Sequence, residues 1–155
     1  MQQTEATMAT AHPLLRIGAF LIDTVLTSLI SLPILSALGA SESIDPSRPD
    51  QTTIAVLLSI NAIYTIGFTA VMSTTLGKLA LGMYVADLKG ARIRPDTAIL
   101  RYIVFLVGHT FFIGTLISFV MLLVNPTRRT IHDRVAGTMV LRRQHGVEAP
   151  PPDLS

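Results

Sequence analysis

One carboxylate lies in the middle of a long hydrophobic stretch. Residues 17–38 contain a single charged side chain, Asp23, and Arg16 stands immediately before them. A carboxylate near the centre of a membrane helix costs about 2.5–3.5 kcal/mol, so it must face protein or water. Asp23 therefore indicates either a cation or proton site or a structural pair that fixes the position of the helix, and the sequence leaves both open.

The candidate partners of Asp23 are spread along the chain. Arg16 lies two helical turns earlier on the same face, at about 10 Å of helical rise. The other candidates are one basic residue at a membrane boundary and three polar residues in uncharged stretches, namely Arg101, His109, Asn61 and Thr65. Asp23, Asn61 and His109 form the ion or proton site that we predict. Arg101 could instead reach lipid phosphates or an anionic ligand.

The remaining patterns do not favour an enzyme. The chain has no cysteine, which excludes a disulfide, a thiolate zinc site and a thiol nucleophile. The dipeptide His132-Asp133 has no further His and Asp ligands at metal-binding spacing. A Gly-rich phosphate loop and a Gly-x-Ser-x-Gly elbow are also missing from the sequence. We therefore predict a protein with no catalytic activity, no cofactor and no metal.

The composition predicts a small membrane protein. Half of the 155 residues are hydrophobic and only 14% are charged, against about a quarter in soluble domains. The formal net charge is +2 and there is no Lys-rich tract, so nucleic acid is not an expected partner. A disordered chain and a typical cytosolic enzyme are excluded on the same grounds.

Three hydrophobic segments are long enough to enter a bilayer. Residues 17–38 and 54–76 each predict one crossing helix, which requires about 20 apolar residues. Residues 98–124 form either one tilted helix or a shallow helical hairpin bent near Gly108–Gly114. The predicted fold class is therefore an all-α polytopic membrane protein with three to four membrane helices.

The distribution of charge predicts the orientation. The loop 39–52 is acidic and belongs outside, whereas residues 74–97 carry four basic side chains and belong in the cytoplasm. Five arginines follow the third hydrophobic segment, and a single crossing by that segment would put them outside. We therefore favour the hairpin, which leaves the N-terminus and the C-terminus on the cytoplasmic side of the cell membrane.

Two short segments read as strands of a cytoplasmic pair. Residues 83–87 are followed by a turn at Lys89-Gly90, and residues 138–141 lie among the arginines of the tail. Asp133 is expected to pair with a basic residue of the same layer, such as Lys78 or Arg16. We expect one membrane domain at residues 14–143. A polar segment, residues 1–13, precedes it, and a disordered tail, residues 144–155, follows it. No internal repeat is evident.

These residues, taken in order, resemble the RDD family of membrane proteins. An Arg opens the first helix and an Asp lies in its middle. A Thr-x-Gly-Lys segment and a Gly-x-x-Val segment follow, then an Arg at the third hydrophobic segment, and finally Arg-x-x-x-His-Asp-x-x-Ala-Gly-Thr-x-Val. The residues that carry the resemblance are Arg16, Asp23, Gly77, Lys78, Gly82, Arg101, His132, Asp133, Gly137 and Thr138. Asn125 stands where the family often has an acidic residue.

The resemblance implies a topology more than an activity. Some members of the family are linked to sodium or other cation/proton antiport, and others resemble accessory or scaffold subunits of membrane complexes. Transport would need a homo-oligomer, because three or four short helices enclose too little volume for an alternating-access path. The alternative is an accessory or assembly subunit, with the bilayer and other membrane subunits as partners.

Overall fold

The computed structural model describes residues 9–39, 50–110, 112–124 and 129–142. Six helices and two strands follow one another as α1 (Pro13–Ala37), α2 (Gln51–Met72), α3 (Leu76–Ala80), β1 (Met83–Asp87), α4 (Pro95–Thr110), α5 (Phe112–Val124), α6 (Ile131–Val135) and β2 (Thr138–Arg142). The tail predicted to be disordered, residues 144–155, lies outside the described residues.

The first two hydrophobic segments form the helices that the sequence predicts. α1 has 25 residues and α2 has 22, and both are long and apolar enough to cross a membrane. Each begins a few residues before the predicted boundary at a side-chain cap. His12 Nδ1 accepts the amide of Leu14 at 3.3 Å, and Asp50 Oδ1 accepts the amide of Thr53 at 2.7 Å. These caps satisfy backbone donors that a helix start leaves unpaired.

The third hydrophobic segment is divided between α4, of 16 residues, and α5, of 13 residues. Neither reaches the length of about 20 residues that a crossing helix needs. Five peptide links join Val124 to Arg129 and can span at most about 18 Å. Arg129 in turn hydrogen bonds Thr138, which contacts Arg101 near the start of α4. α5 therefore returns towards the beginning of α4, as a hairpin requires, while the number of crossings stays a prediction.

The two predicted strands pair. β1 and β2 are antiparallel, with Val85 opposite Val140, and β2 extends one residue beyond its predicted end. The amide of Ala11 donates to the Val140 carbonyl at 3.0 Å, and the amide of Arg142 donates to the Ala9 carbonyl at 3.0 Å. Residues 9–11 of the polar N-terminal segment are thus hydrogen bonded to β2. The sequence did not predict this contact.

The chain contains an internal repeat that the sequence analysis missed. Each half has a pair of long helices, then a Thr, a five-residue helix, a glycine and a strand. The Thr is Thr75 in the first half and Thr130 in the second, and the glycines lie seven residues later. Gly82 has φ +66° and Gly137 has φ +63°. This left-handed conformation, which glycine adopts without strain, ends each short helix and turns the chain into the strand.

The repeat brings the polar parts of the molecule to one end. The start of α1, the end of α2 and the start of α4 meet there, next to α3, α6 and the sheet. We call this end the polar layer; it comprises residues 9–16, 73–101 and 129–142. Met83, Val85 and Val140 are buried at its centre with Ala11 and Ala19.

Candidate functional site

Both carboxylate oxygens of Asp23 accept hydrogen bonds, from α2, from α3 and from the Thr before α3. The Tyr64 phenol donates to Oδ1 at 2.5 Å, and the Gly77 amide donates to the same oxygen at 2.7 Å. The Thr75 hydroxyl donates to Oδ2 at 2.6 Å. The Tyr64 oxygen also accepts the Leu76 amide at 3.2 Å. Asp23 and Tyr64 together satisfy the first amides of α3, so a side chain of α1 caps a helix more than 50 residues away.

Gly77 allows this contact because it has no side chain. A Cβ at position 77 would lie 2.3 Å from the Ala19 carbonyl oxygen and 2.8 Å from the Asp23 carboxylate. Both distances are far below van der Waals contact, so any larger residue would push α3 away from α1. The Thr-x-Gly-Lys segment is therefore explained by packing and capping at Asp23.

Arg101, one of the candidate partners of Asp23, pairs with a different carboxylate. Arg101 lies 2.7 Å from Asp133, and the hydrogen bonds described for the Asp23 carboxylate run to Tyr64, Thr75 and Gly77. Tyr64, which donates to Asp23, is not among the candidate partners that the sequence indicates. The signal that could have found it is a phenol in the second hydrophobic segment, which can donate a hydrogen bond to the acid of the first segment.

Asp133 forms the second charged cluster, and its side chain is fully buried. Arg16 Nη2 donates to Oδ2 at 2.5 Å, which confirms one of the two pairings predicted for Asp133. Arg101 Nη1 lies 2.7 Å from Oδ1 as an ion pair, but it is not aligned as a hydrogen bond. The Thr130 hydroxyl and amide donate to Oδ2 at 2.8 and 3.1 Å. Asp133 therefore caps α6 and joins α1 to α4.

The two arginines keep Asp133 ionised. Burial alone would raise the pKa of this carboxyl, but the charges of Arg101 and Arg16 hold it well below its usual range. Burial has the opposite effect on the neighbouring His132, whose pKa falls to about 3 despite the attraction of Asp133. His132 is therefore neutral at physiological pH, and the Thr130 hydroxyl lies 3.0 Å from its Nε2.

Thr138 and Arg129 complete the contacts around Asp133. Arg101 also donates to the Thr138 hydroxyl. Arg129 Nε donates to the Thr138 carbonyl at 2.9 Å, and its Nη2 donates to the Asp133 carbonyl at 3.2 Å. Thr138 is fully buried, as Asp133 is. The His-Asp…Gly-Thr segment is thus a set of contacts that holds α6 and β2 against α4.

Lys78 and Asp133 are at equivalent positions of the internal repeat. Lys78 lies three residues after Thr75, and Asp133 lies three residues after Thr130. The Lys78 ammonium donates to the Thr75 hydroxyl at 3.2 Å. Burial lowers the pKa of Lys78 to about 8, and the nearby charge of Asp23 only partly offsets this effect. Within the described ranges, no carboxylate lies within 4 Å of the ammonium, so the alternative pairing of Lys78 with Asp133 is not formed.

A cavity of about 460 Å³ lies among the helices beside these clusters. The three residues predicted as an ion or proton site, Asp23, Asn61 and His109, all line it. The His109 ring stacks on Phe105, with ring centres 5.0 Å apart. No group of three or more metal-ligating side chains occurs in the part of the chain that the structure describes.

The comparisons with known proteins agree with the motif. The model of the RDD family matches residues 10–137, a stretch that contains both Asp23 and Asp133. The chain is similar to the uncharacterized protein YckC of Bacillus subtilis (strain 168), with 28% identity over 138 residues that cover 86% of this chain and 85% of that protein. No solved structure matches the chain.

Proposed function

The chain belongs to the RDD family, and on that premise we propose that it is a non-catalytic accessory or assembly subunit of a larger complex in the cell membrane. The observation that carries this proposal is that donors of the chain itself engage both carboxylates, the partly buried Asp23 and the buried Asp133. Asp23 accepts from three groups, and Asp133 contacts two arginines and a threonine. Charges used in this way hold helices together and leave little free capacity to exchange an ion.

The balance of charge also disfavours a cation site. Arg16, Lys78 and Arg101 are three cations at the boundary of the helices, and they exceed the two carboxylates by one. An excess positive charge raises the energy of any added cation, and the effect is large where water is scarce. The excess of positive charge is therefore more compatible with a subunit that binds other membrane proteins than with a protein that conducts cations.

The proposed orientation follows from the same charges. Basic side chains of short loops stay in the cytoplasm, so the polar layer faces the cytoplasm and both termini lie on that side. α1 and α2 present large apolar side chains outward, with Leu29 62% and Ile63 74% exposed. Lipid or neighbouring membrane subunits would cover these faces. No nucleic acid is part of the proposal.

Native mass measurement tests the accessory role. We expect the tagged chain, extracted from its own membranes in mild detergent, to run as a species heavier than the 16.7 kDa chain. That species should contain a different membrane protein in fixed ratio, and deletion of this chain should lower the amount of that protein in the membrane. Recovery of the chain alone, with all other membrane proteins unchanged after deletion, would refute the proposal.

A second candidate function is cation/proton exchange through a homo-oligomer. The observation in its favour is that Asp23, Asn61 and His109 line one cavity. This function requires a purified species made of several copies of this chain. It also requires proton movement driven by a cation gradient, with loss of that movement in Asp23→Asn.

A further inference from the structure

Lys78 carries a charge that the contacts of the described residues do not neutralise. Its ammonium has three donors, and one hydrogen bond, to the neutral Thr75 hydroxyl at 3.2 Å, is described. Arg16 and Arg101 share the charge of Asp133, whereas no described carboxylate lies within 4 Å of Lys78. A partly buried ammonium with unused donors is stabilised when an anion completes its surroundings.

The surroundings of Lys78 have the composition of a site for a molecule with an anionic head and an apolar tail. The cavity of about 460 Å³ has three basic side chains in its wall, Arg16, Lys78 and Arg101. Apolar side chains line the same cavity, among them Phe20 and Phe105. Its volume lies within the range of about 300–1,000 Å³ found for small-molecule sites.

We propose that this cavity binds the phosphate headgroup of an anionic membrane lipid, with the Lys78 ammonium as the main charged contact. Basic pockets between membrane helices on the cytoplasmic side are suited to such headgroups. The acyl chain would lie along the apolar side of the cavity. This proposal does not depend on the accessory role, because a lipid site is compatible with a subunit and with a transporter.

Phosphate is the favoured ligand chemistry because of the charges in the wall. Asp23 is the carboxylate that lines the cavity, and its oxygens are already engaged by Tyr64, Thr75 and Gly77. A cation would therefore meet three positive side chains and one occupied acid. An oxyanion would accept the free donors of Lys78 in charge-assisted hydrogen bonds.

The test counts bound lipids on the full chain. The protein is placed in nanodiscs of phosphatidylcholine mixed with phosphatidylglycerol, released into detergent and analysed by native mass spectrometry. We expect the wild type to retain phosphatidylglycerol in preference to phosphatidylcholine. Lys78→Met should weaken that retention by about 10- to 100-fold, the loss of one charge-assisted hydrogen bond. Lys78→Arg should keep it.

A matched control uses the exposed Lys89 of the loop after β1. Lys89→Met removes the same charge and should leave lipid retention unchanged. Far-UV circular dichroism checks that Lys78→Met is folded, which is expected because this variant removes a partly buried charge. Equal retention of phosphatidylglycerol by Lys78→Met and the wild type would overturn the proposal.

A second arm distinguishes a lipid from free phosphate. Phosphatidylglycerol should raise the thermal midpoint of the detergent-solubilised wild type, and inorganic phosphate at the same concentration should not. A shift caused by inorganic phosphate in the wild type, and absent in Lys78→Met, would overturn the lipid source and assign the site to a free anion.

Discussion

The amide of Gly77 donates a hydrogen bond to Oδ1 of Asp23 at 2.7 Å, across 54 positions of sequence. This contact joins the first turn of α3 to the middle of α1. It needs a carboxylate on one helix and an absent side chain on the other, which is why these two residue types occur together. The lone acid of the first hydrophobic segment is therefore a capping residue for a helix of the polar layer.

Gly77→Ala should destabilise the protein by about 1–3 kcal/mol, the usual cost of overpacking. The new methyl would meet the Ala19 carbonyl oxygen at 2.3 Å, so α3 must move and its bond to Asp23 must lengthen. The measurement is the thermal midpoint in detergent, followed by far-UV circular dichroism. Gly67→Ala is the matched control, because nothing lies within 4 Å of a Cβ there. Equal midpoints for the two variants would contradict the packing role.

Asp133→Asn should cost about 3–5 kcal/mol, since it leaves Arg16 and Arg101 buried without a counter-charge. Chemical unfolding of the purified chain measures the loss. The control is Asp96→Asn, which removes a carboxylate 68% exposed and 3.5 Å from Arg94. An exposed pair of this kind is worth at most about 1 kcal/mol. If Asp133→Asn lowered the free energy of unfolding no more than Asp96→Asn does, the contacts of Asp133 with Arg16 and Arg101 would not be what holds α1 to α4.

Tyr64→Phe should destabilise the protein by about 1–3 kcal/mol, because it removes a donor to Asp23 and an acceptor for the Leu76 amide. Tyr84→Phe is the control, since the Tyr84 phenol makes no hydrogen bond to any residue that the structure describes. Both variants remove one oxygen atom, so the difference between their thermal midpoints reports the contacts of Tyr64. No difference would mean that Asp23 keeps α3 in place without this phenol.

Stability should fall as the pH falls below about 6.5. The unfolded chain protonates His132 around its usual pKa of 6.5, whereas the folded pKa is about 3, so the unfolded state binds more protons in this window. The loss amounts to at most about 1.4 kcal/mol per pH unit for one proton. The lowered pKa of Asp133 adds a second loss below its usual value of 3.8.

Thermal midpoints of the wild type and of His132→Gln, measured between about pH 7 and pH 5, isolate the contribution of His132. This range lies above the usual titration of carboxyl groups. The wild type should lose stability on acidification, and His132→Gln should lose less. Parallel curves for the two proteins would mean that His132 is not held neutral in the fold.

The sequence predicted much of the fold because long hydrophobic runs indicate membrane helices and the distribution of charge indicates which segments share one side of the membrane. Two long hydrophobic stretches, one with a single charge and one with none, predicted α1 and α2. The strands at 83–87 and 138–141 were expected to pair because their basic flanks belong on one side of the membrane. The contact of Asp133 with Arg16 followed from the same constraint, since the charge pattern assigns both residues to the same side of the membrane.

The donors to Asp23 could not be predicted in the same way. One of them is a backbone amide, at Gly77, and an amide has no signature in the sequence. Another is Thr75, 52 residues away, and its proximity depends on how α2 returns along α1. The repeat was missed because its halves share little more than a Thr and a Gly. Equivalent positions even carry opposite charges, Lys78 in one half and Asp133 in the other.

The central claim is that Asp23 holds the fold and does not exchange ions. The most direct test is proton movement in proteoliposomes of the purified full chain, read by an internal pH dye under an imposed sodium or potassium gradient. We expect wild-type proteoliposomes to behave as protein-free liposomes do. A cation-driven change of internal pH that is present in the wild type and absent in Asp23→Asn would contradict the claim.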